Sequence, residues 1–157
     1  MSSSAHEAMM PGLPDPDTQS EFYDGVTSRR LVAWVIDVLI TLAIGVPIAI
    51  VFGLVTLGIG FAAFPLVIAG TSIVYRTTTI AHASATWGMR AMGIELRRHD
   101  GGRLDPLFAF LHSAGYVFCI TVFPLQIVSC IMILTLRYGQ SLQDIFLRTA
   151  MINRPVS

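Results

Sequence analysis

Asp37 is the residue whose setting most demands a chemical explanation. It is the only charged residue between Arg30 and Arg76. An acid inside an apolar span is costly and is normally paired. Arg30 and Asp37 stand seven positions apart, which on a helix puts them on nearly one face, ~10 Å apart along the axis. Helical side chains lean toward the N-terminus. The lean brings Asp37 toward Arg30 but carries Arg30 away from it, leaving room for a water or a third group between them. Two chemistries fit: a proton or cation site, and a structural ion pair that fixes helix packing, of which the structural pair is preferred. Asp144 is the second acid of interest. In Ser141-Leu142-Gln143-Asp144 it takes the third helical position of a capping box begun by Ser141, where Glu or Gln is usual. Capping accounts for it unless it also meets Asp37 or an arginine in space.

The other chemistry-bearing residues are dispersed. His6, His82 and His99 lie in polar segments, and only His112 falls in a hydrophobic stretch. Metal and haem sites need converging ligands, and no such spacing occurs, so no metal or cofactor is expected and His112 reads as structural or interfacial. Cys119 and Cys130 would be separated by ~16 Å of rise on a straight helix and read as reduced, buried packing residues. There is no nucleophile–base arrangement, phosphate loop or pair of catalytic carboxylates, so the chain is not expected to be an enzyme.

The elements that must position these residues follow from where charge is missing. Of 157 residues, 54% are hydrophobic and 13% charged, against roughly a quarter charged in a soluble domain, and the mean hydropathy is +0.67. Val38 to Tyr75 is a run of 38 residues without charge, and Pro106 to Leu136 one of 31. Such runs identify an integral membrane protein. Ten arginines balance ten acids with no lysine, which excludes a basic nucleic-acid surface.

Residues 1–24 hold five acids and no arginine and read as a disordered acidic tail. No secretory leader is expected, since the first apolar run begins only at Leu31 behind Arg29 and Arg30. It reads as a retained signal-anchor helix. A span needs about 20 apolar residues. The first is expected near 31–52 and the second near 57–75, antiparallel across a turn at Gly53, Gly58 and Gly60. A polar cytoplasmic connector follows over 76–105. In it Thr86 caps a short helix that Gly93 stops, Ile94-Glu95-Leu96-Arg97 alternates as in a strand, and His99-Asp100-Gly101-Gly102 signals a hairpin turn. Asp105-Pro106 is a helix start. The segment 106–136 is too long for one straight span, and Pro124 interrupts it. A hairpin or re-entrant pair bent near Pro124 is favoured over a single third crossing, because an even number of crossings leaves every arginine on one side. A cytoplasmic helix over 141–150 completes a transmembrane domain of residues 25–154. The fold class is thus an all-α membrane protein, a helical hairpin plus a broken hydrophobic segment, with three or four membrane segments.

On the first span Ala33, Asp37, Thr41, Gly45, Ala49 and Gly53 recur every fourth residue, a ridge of small residues of the kind that lets helices approach closely in lipid. Ala62, Pro65, Ala69 and Ser72 make a matching small face on the second. The two faces are expected to pack on each other, the sharper alternative being a groove for a partner's helix.

Three ordered pieces of sequence resemble the RDD family of bacterial membrane proteins, named for one Arg and two Asp. They are Arg29-Arg30-Leu31-Val32-Ala33-Trp34-Val35-Ile36-Asp37, then Thr86-Trp87-Gly88-Met89-Arg90-Ala91-Met92-Gly93-Ile94 with Asp100-Gly101-Gly102-Arg103-Leu104, then Ser141-Leu142-Gln143-Asp144-Ile145-Phe146-Leu147-Arg148-Thr149. The resemblance covers about residues 22–154 and places the family's arginine on Arg30 (or Arg29), its first aspartate on Asp37 and its second on Asp144. Met89 stands where members often carry Lys, Gln143 where they carry His, and Arg148 where Gly is common. The resemblance implies a bacterial cytoplasmic-membrane protein, and the arginine count puts its N-terminus and its C-terminus in the cytoplasm. Arg30, Asp37 and Asp144 are expected to form one polar cluster. The expected function is a non-enzymatic accessory or assembly component packing against other membrane subunits or itself. The alternative is a small ion or solute transporter of the cation–proton exchange type, working as an oligomer.

Overall fold

The computed structural model describes residues 10–154. Eight elements follow in order: α1 (Val26–Val55), α2 (Phe64–Ala83), α3 (Trp87–Ala91), β1 (Ile94–Arg98), α4 (Pro106–Thr121), α5 (Phe123–Thr135), α6 (Leu142–Leu147) and β2 (Thr149–Asn153). Two helices are long and apolar enough to cross a membrane, and the pair α4–α5, bent by 116° at its break, adds a third candidate segment. The protein is therefore a mostly helical membrane protein, and the bend falls beside Pro124, at the first turn of α5.

α1 contains the expected first span and begins five residues earlier, at Val26. Its buried positions are Val26, Ala33, Asp37, Thr41, Gly45, Ala49 and Gly53, so the small ridge is the face turned inward. Its large residues, among them Leu31, Leu39 and Val51, are exposed, as lipid requires of a span without a soluble core. A Cβ at Gly45 would lie 2.8 Å from Ile68 Cδ1 and 3.3 Å from Thr71 Oγ1, and one at Gly53 would overlap the Phe61 ring. The facing residues are thus Ile68, Thr71 and Phe61. Ala69 is half-buried, whereas Ala62 is exposed in a 3-10 turn (Ile59–Ala63) and Pro65 is exposed at the start of α2.

The second helix corrects the expected range of 57–75. It starts at Phe64 and runs eight residues beyond Tyr75 to Ala83. Arg76, read from sequence as the first residue of the connector, lies inside it and is buried. The charge marks where hydropathy falls, not where the helix ends: Arg76 finds a carboxylate, and the Thr78 and Thr79 hydroxyls return to the carbonyls of Val74 (2.8 Å) and Tyr75 (2.7 Å).

Beyond the spans the chain is not all-α. β1 pairs antiparallel with β2, Ile94 opposite Asn153 and Arg98 opposite Thr149. A tight turn does form after β1, with Gly101 N–H bonded to the Arg98 carbonyl at 2.8 Å and Arg98 N–H to that of Gly102 at 3.0 Å. The chain leaves it for α4, so the strand's partner is the C-terminal segment and not a local hairpin arm. The expected C-terminal helix over 141–150 is shorter for the same reason: α6 stops at Leu147, Arg148 turns left-handed at φ 50°, and β2 begins. Ile94 and Leu96 of β1 are fully buried in one cluster with Ile80 of α2 and Ala109 of α4, with Ala85, Leu104 and Met151 around them. The main apolar core is therefore at the polar end, where β1 and β2 close over residues of α1, α2 and α4.

The same layer gathers the remaining polar segments. Residues 10–24, expected to be disordered, are docked: Met10 is buried against Tyr138 and Ala150, Gly12 N–H bonds the His99 carbonyl at 2.8 Å, and Asp15 and Asp17 both pair with Arg137. Residues 1–9 of that tail lie outside the described residues. Asp105, at the start of α4, pairs with Arg98 at 3.6 Å, while Arg137 follows the end of α5. The bent pair thus begins and ends against one polar layer. Both cysteines are free, and Cys130 is exposed where burial was expected.

Candidate functional site

Two buried carboxylates organise the polar end of the bundle, each with its own arginine. Asp37, on the small face of α1, does not meet Arg30. Arg76 of α2 approaches it instead, Nη2 to Oδ2 at 3.6 Å. Antiparallel packing brings Arg76 alongside, whereas Arg30 stays two turns away. The Tyr75 hydroxyl donates to Asp37 Oδ1 at 2.7 Å, the Thr86 hydroxyl to Oδ2 at 2.6 Å, and the Gly88 N–H to Oδ1 at 3.0 Å. Thr86 also caps α3, accepting from Met89 N–H at 3.1 Å, so one hydroxyl ends the short helix and ties it to α1. Gly88 permits that contact, since a Cβ there would overlap the Ala33 carbonyl oxygen and lie 2.7 Å from Asp37 Oδ1.

Asp144 is the second centre. Arg30 donates from Nη2 to its Oδ2 at 2.8 Å and from Nη1 to the Gly139 carbonyl at 2.9 Å. His112 of α4 contacts Oδ1 through Nε2 at 2.9 Å. The Ser141 N–H donates to Oδ2 at 3.0 Å, the returning half of a capping box, and the Thr149 hydroxyl to Oδ1 at 3.3 Å. Burial by itself pushes this carboxyl up, but Arg30, His112 and the Ser141 N–H outweigh it and hold the group well below the usual carboxylate range. Asp144 therefore joins α1, α4, α6 and β2 through one ionised group.

Of the three residues expected in one cluster, Arg30 and Asp144 are brought into direct contact, and Asp37 is held in a separate centre. Both centres line a single cavity of about 420 Å³, which Arg30, Asp37, Arg76 and His112 share with apolar Leu31, Trp34, Ile133 and Leu134. A second cavity of about 490 Å³ lies between α1, α2 and α4 toward Phe64 and Ile120, and Arg76 and Tyr116 line both. The Arg76 guanidinium stacks on the Tyr116 ring, Cζ to centroid 4.0 Å. Gly45, Ala49 and Gly53 belong to helix packing and do not line the first cavity.

Sequence reasoning missed Arg76, Tyr75 and His112 as partners of the two acids. Arg76 did carry a signal, as an arginine directly after a 38-residue uncharged run. His112 carried a weaker one, as the lone imidazole in an apolar stretch. Among the described residues no group of three or more His, Cys, Asp or Glu side chains could hold a metal ion.

The RDD family model matches residues 25–148, most of the chain. No curated protein and no solved structure matches it.

Proposed function

The chain belongs to the RDD family, and from that premise we propose that it is a non-enzymatic accessory or assembly component of a bacterial cytoplasmic membrane, packing against a larger membrane complex. One observation carries this reading. An ionised carboxylate has about four acceptor sites. Asp144 accepts from Arg30, His112, Ser141 and Thr149, and Asp37 accepts from Tyr75, Thr86 and Gly88 and pairs with Arg76 at 3.6 Å. Each acid is held by donors fixed to different elements, with four hydrogen bonds at Asp144 and three at Asp37 beside its Arg76 counter-charge, which suits a clamp between helices better than a site that exchanges a carried cation. The clustering of the described termini, the connector and both ends of the bent pair in one polar layer supports a re-entrant α4–α5 with that layer in the cytoplasm, as the arginine distribution favours.

A second reading, a component of a small ion or solute transporter working as an oligomer, is favoured by the two cavities that meet at Arg76 and Tyr116. Asp37→Asn separates the two. If the acid is a clamp, the variant loses folded yield, or loses its stoichiometric partner on purification from native membranes in mild detergent. A well-folded Asp37→Asn protein that keeps its assembly but loses pH-dependent cation flux in proteoliposomes would put transport first.

A further inference from the structure

Buried polar groups in folded proteins are almost always hydrogen-bonded, so clustered exceptions need a cause. Arg76 Nε, His112 Nδ1, Ser141 Oγ and Gln143 Oε1 are buried without a partner, and all four side chains line the 420 Å³ cavity. Arg76 and His112 are each over nine-tenths buried. The volume lies within the range of small-ligand pockets, about 300–1,000 Å³.

The chemistry of these atoms is specific. Arg30 is committed to Asp144 and the Gly139 carbonyl. Arg76 has one ion pair at 3.6 Å, to an aspartate already served by three other donors. A guanidinium presents five N–H donors and suits phosphate, so Arg76 has capacity for an anion. His112 gives its Nε2 hydrogen to Asp144, and its Nδ1, an acceptor in the neutral ring and a donor in the charged one, is matched by a hydroxyl in either state. Gln143 Oε1 is an acceptor too. The cavity therefore asks for one anionic group together with hydroxyl donors.

Its walls ask for hydrocarbon. Leu31, Trp34 and Leu134 line it and are 64%, 38% and 73% exposed, so its rim lies on the apolar outer surface of α1 and α5. Thr27 and Ser28, at the polar start of α1, line it as well.

We propose that this cavity binds one membrane lipid whose anionic headgroup carries free hydroxyls, with Arg76 at the phosphate and His112 and Gln143 at the hydroxyls. The site is independent of whether the protein joins a larger complex. A lipid bridging α1, α2, α4 and α6 would stabilise the fold by mass action.

Native mass spectrometry and thermal unfolding of the purified full chain in detergent test this, with phosphatidylglycerol, phosphatidylcholine and soluble glycerol phosphate titrated separately. One phosphatidylglycerol is expected to bind per chain and raise the unfolding temperature. Phosphatidylcholine keeps the phosphate but lacks the headgroup hydroxyls and the net charge, and should bind at least about tenfold more weakly, the worth of one or two neutral hydrogen bonds. Glycerol phosphate should be weaker again, because it buries no apolar surface. Cys130→Trp fills the apolar wall at an exposed position away from both carboxylates, and should abolish the lipid-dependent shift while leaving unfolding in lipid-free detergent unchanged. Gln143→Leu should reduce the preference for the hydroxylated headgroup. Equal binding of the two phospholipids, retention of the preference in a folded Cys130→Trp protein, or absence of a bound lipid would overturn the site. Glycerol phosphate binding as tightly as the lipid would make it a soluble-anion site and overturn the lipid assignment.

Discussion

Asp144 is a buried group through which pH acts on this fold. Its carboxyl is held low by Arg30, His112 and the Ser141 N–H against the opposing effect of burial. A depressed carboxyl contributes stability that is fully present above its unfolded value, about 3.9, and is lost as pH falls toward the folded value. The expected result is a steep loss of thermal stability in detergent below pH ~4, with a flatter acid limb in Asp144→Asn. That variant should already be destabilised at neutral pH, by about 3–5 kcal/mol, because removing one partner strands the buried Arg30. Equal acid slopes in the two proteins would show that the stabilising charge lies elsewhere. Thr86 illustrates economy at the same scale, since one hydroxyl donates to Asp37 and accepts from the first turn of α3.

Between elements, glycine decides how closely helices approach. At Gly88 an added Cβ would meet backbone, the Ala33 carbonyl, whereas at Gly45 it would meet the flexible end of Ile68. Backbone cannot yield as a side-chain tip can. Gly88→Ala is therefore expected at or above the upper end of the ~1–3 kcal/mol overpacking range, and Gly45→Ala near its lower end, both read from thermal unfolding. A reversed order would mean that α3 can move away from α1. Arg148 is the opposite case: it ends α6 at φ 50°, a conformation that costs a side chain about 1 kcal/mol and glycine little. Arg148→Gly should stabilise the protein by up to that amount, and a loss would show that the Arg148 side chain contributes a contact stronger than the strain.

For the whole molecule the open quantity is topology. Residues 10–24, the connector and residues 137–154 meet in one layer, and Leu57, at the far turn, is 94% exposed. Single cysteines replacing Ser20, Arg103, Arg148 or Leu57 on a background with Cys119→Ser and Cys130→Ser report their side. An impermeant thiol reagent should label only the Leu57→Cys protein in intact cells, and the other three after permeabilisation. External labelling at the Arg148 position with protection at Ser20 would make α4–α5 a third crossing.

Hydropathy is local and additive, so the two spans, the break near Pro124 and the small ridge from Ala33 to Gly53 were legible in the chain. The Thr86 cap and the ordered motifs of the RDD family were legible too, because each depends on neighbours within a few residues. What each buried charge pairs with was not. Asp37 and Arg76 are 39 positions apart, and Arg30 and Asp144 114 apart. The tempting spacing of Arg30 and Asp37 yields no contact, because one helix cannot fold back on itself while an antiparallel neighbour supplies a guanidinium at the same depth. β1 likewise carries the alternation of a strand but no mark of which segment pairs with it. Only the assembled polar layer, where residues 10–24, the connector and residues 137–154 meet, chose β2, docked residues 10–24 and gathered four side chains with unpartnered polar atoms around one cavity.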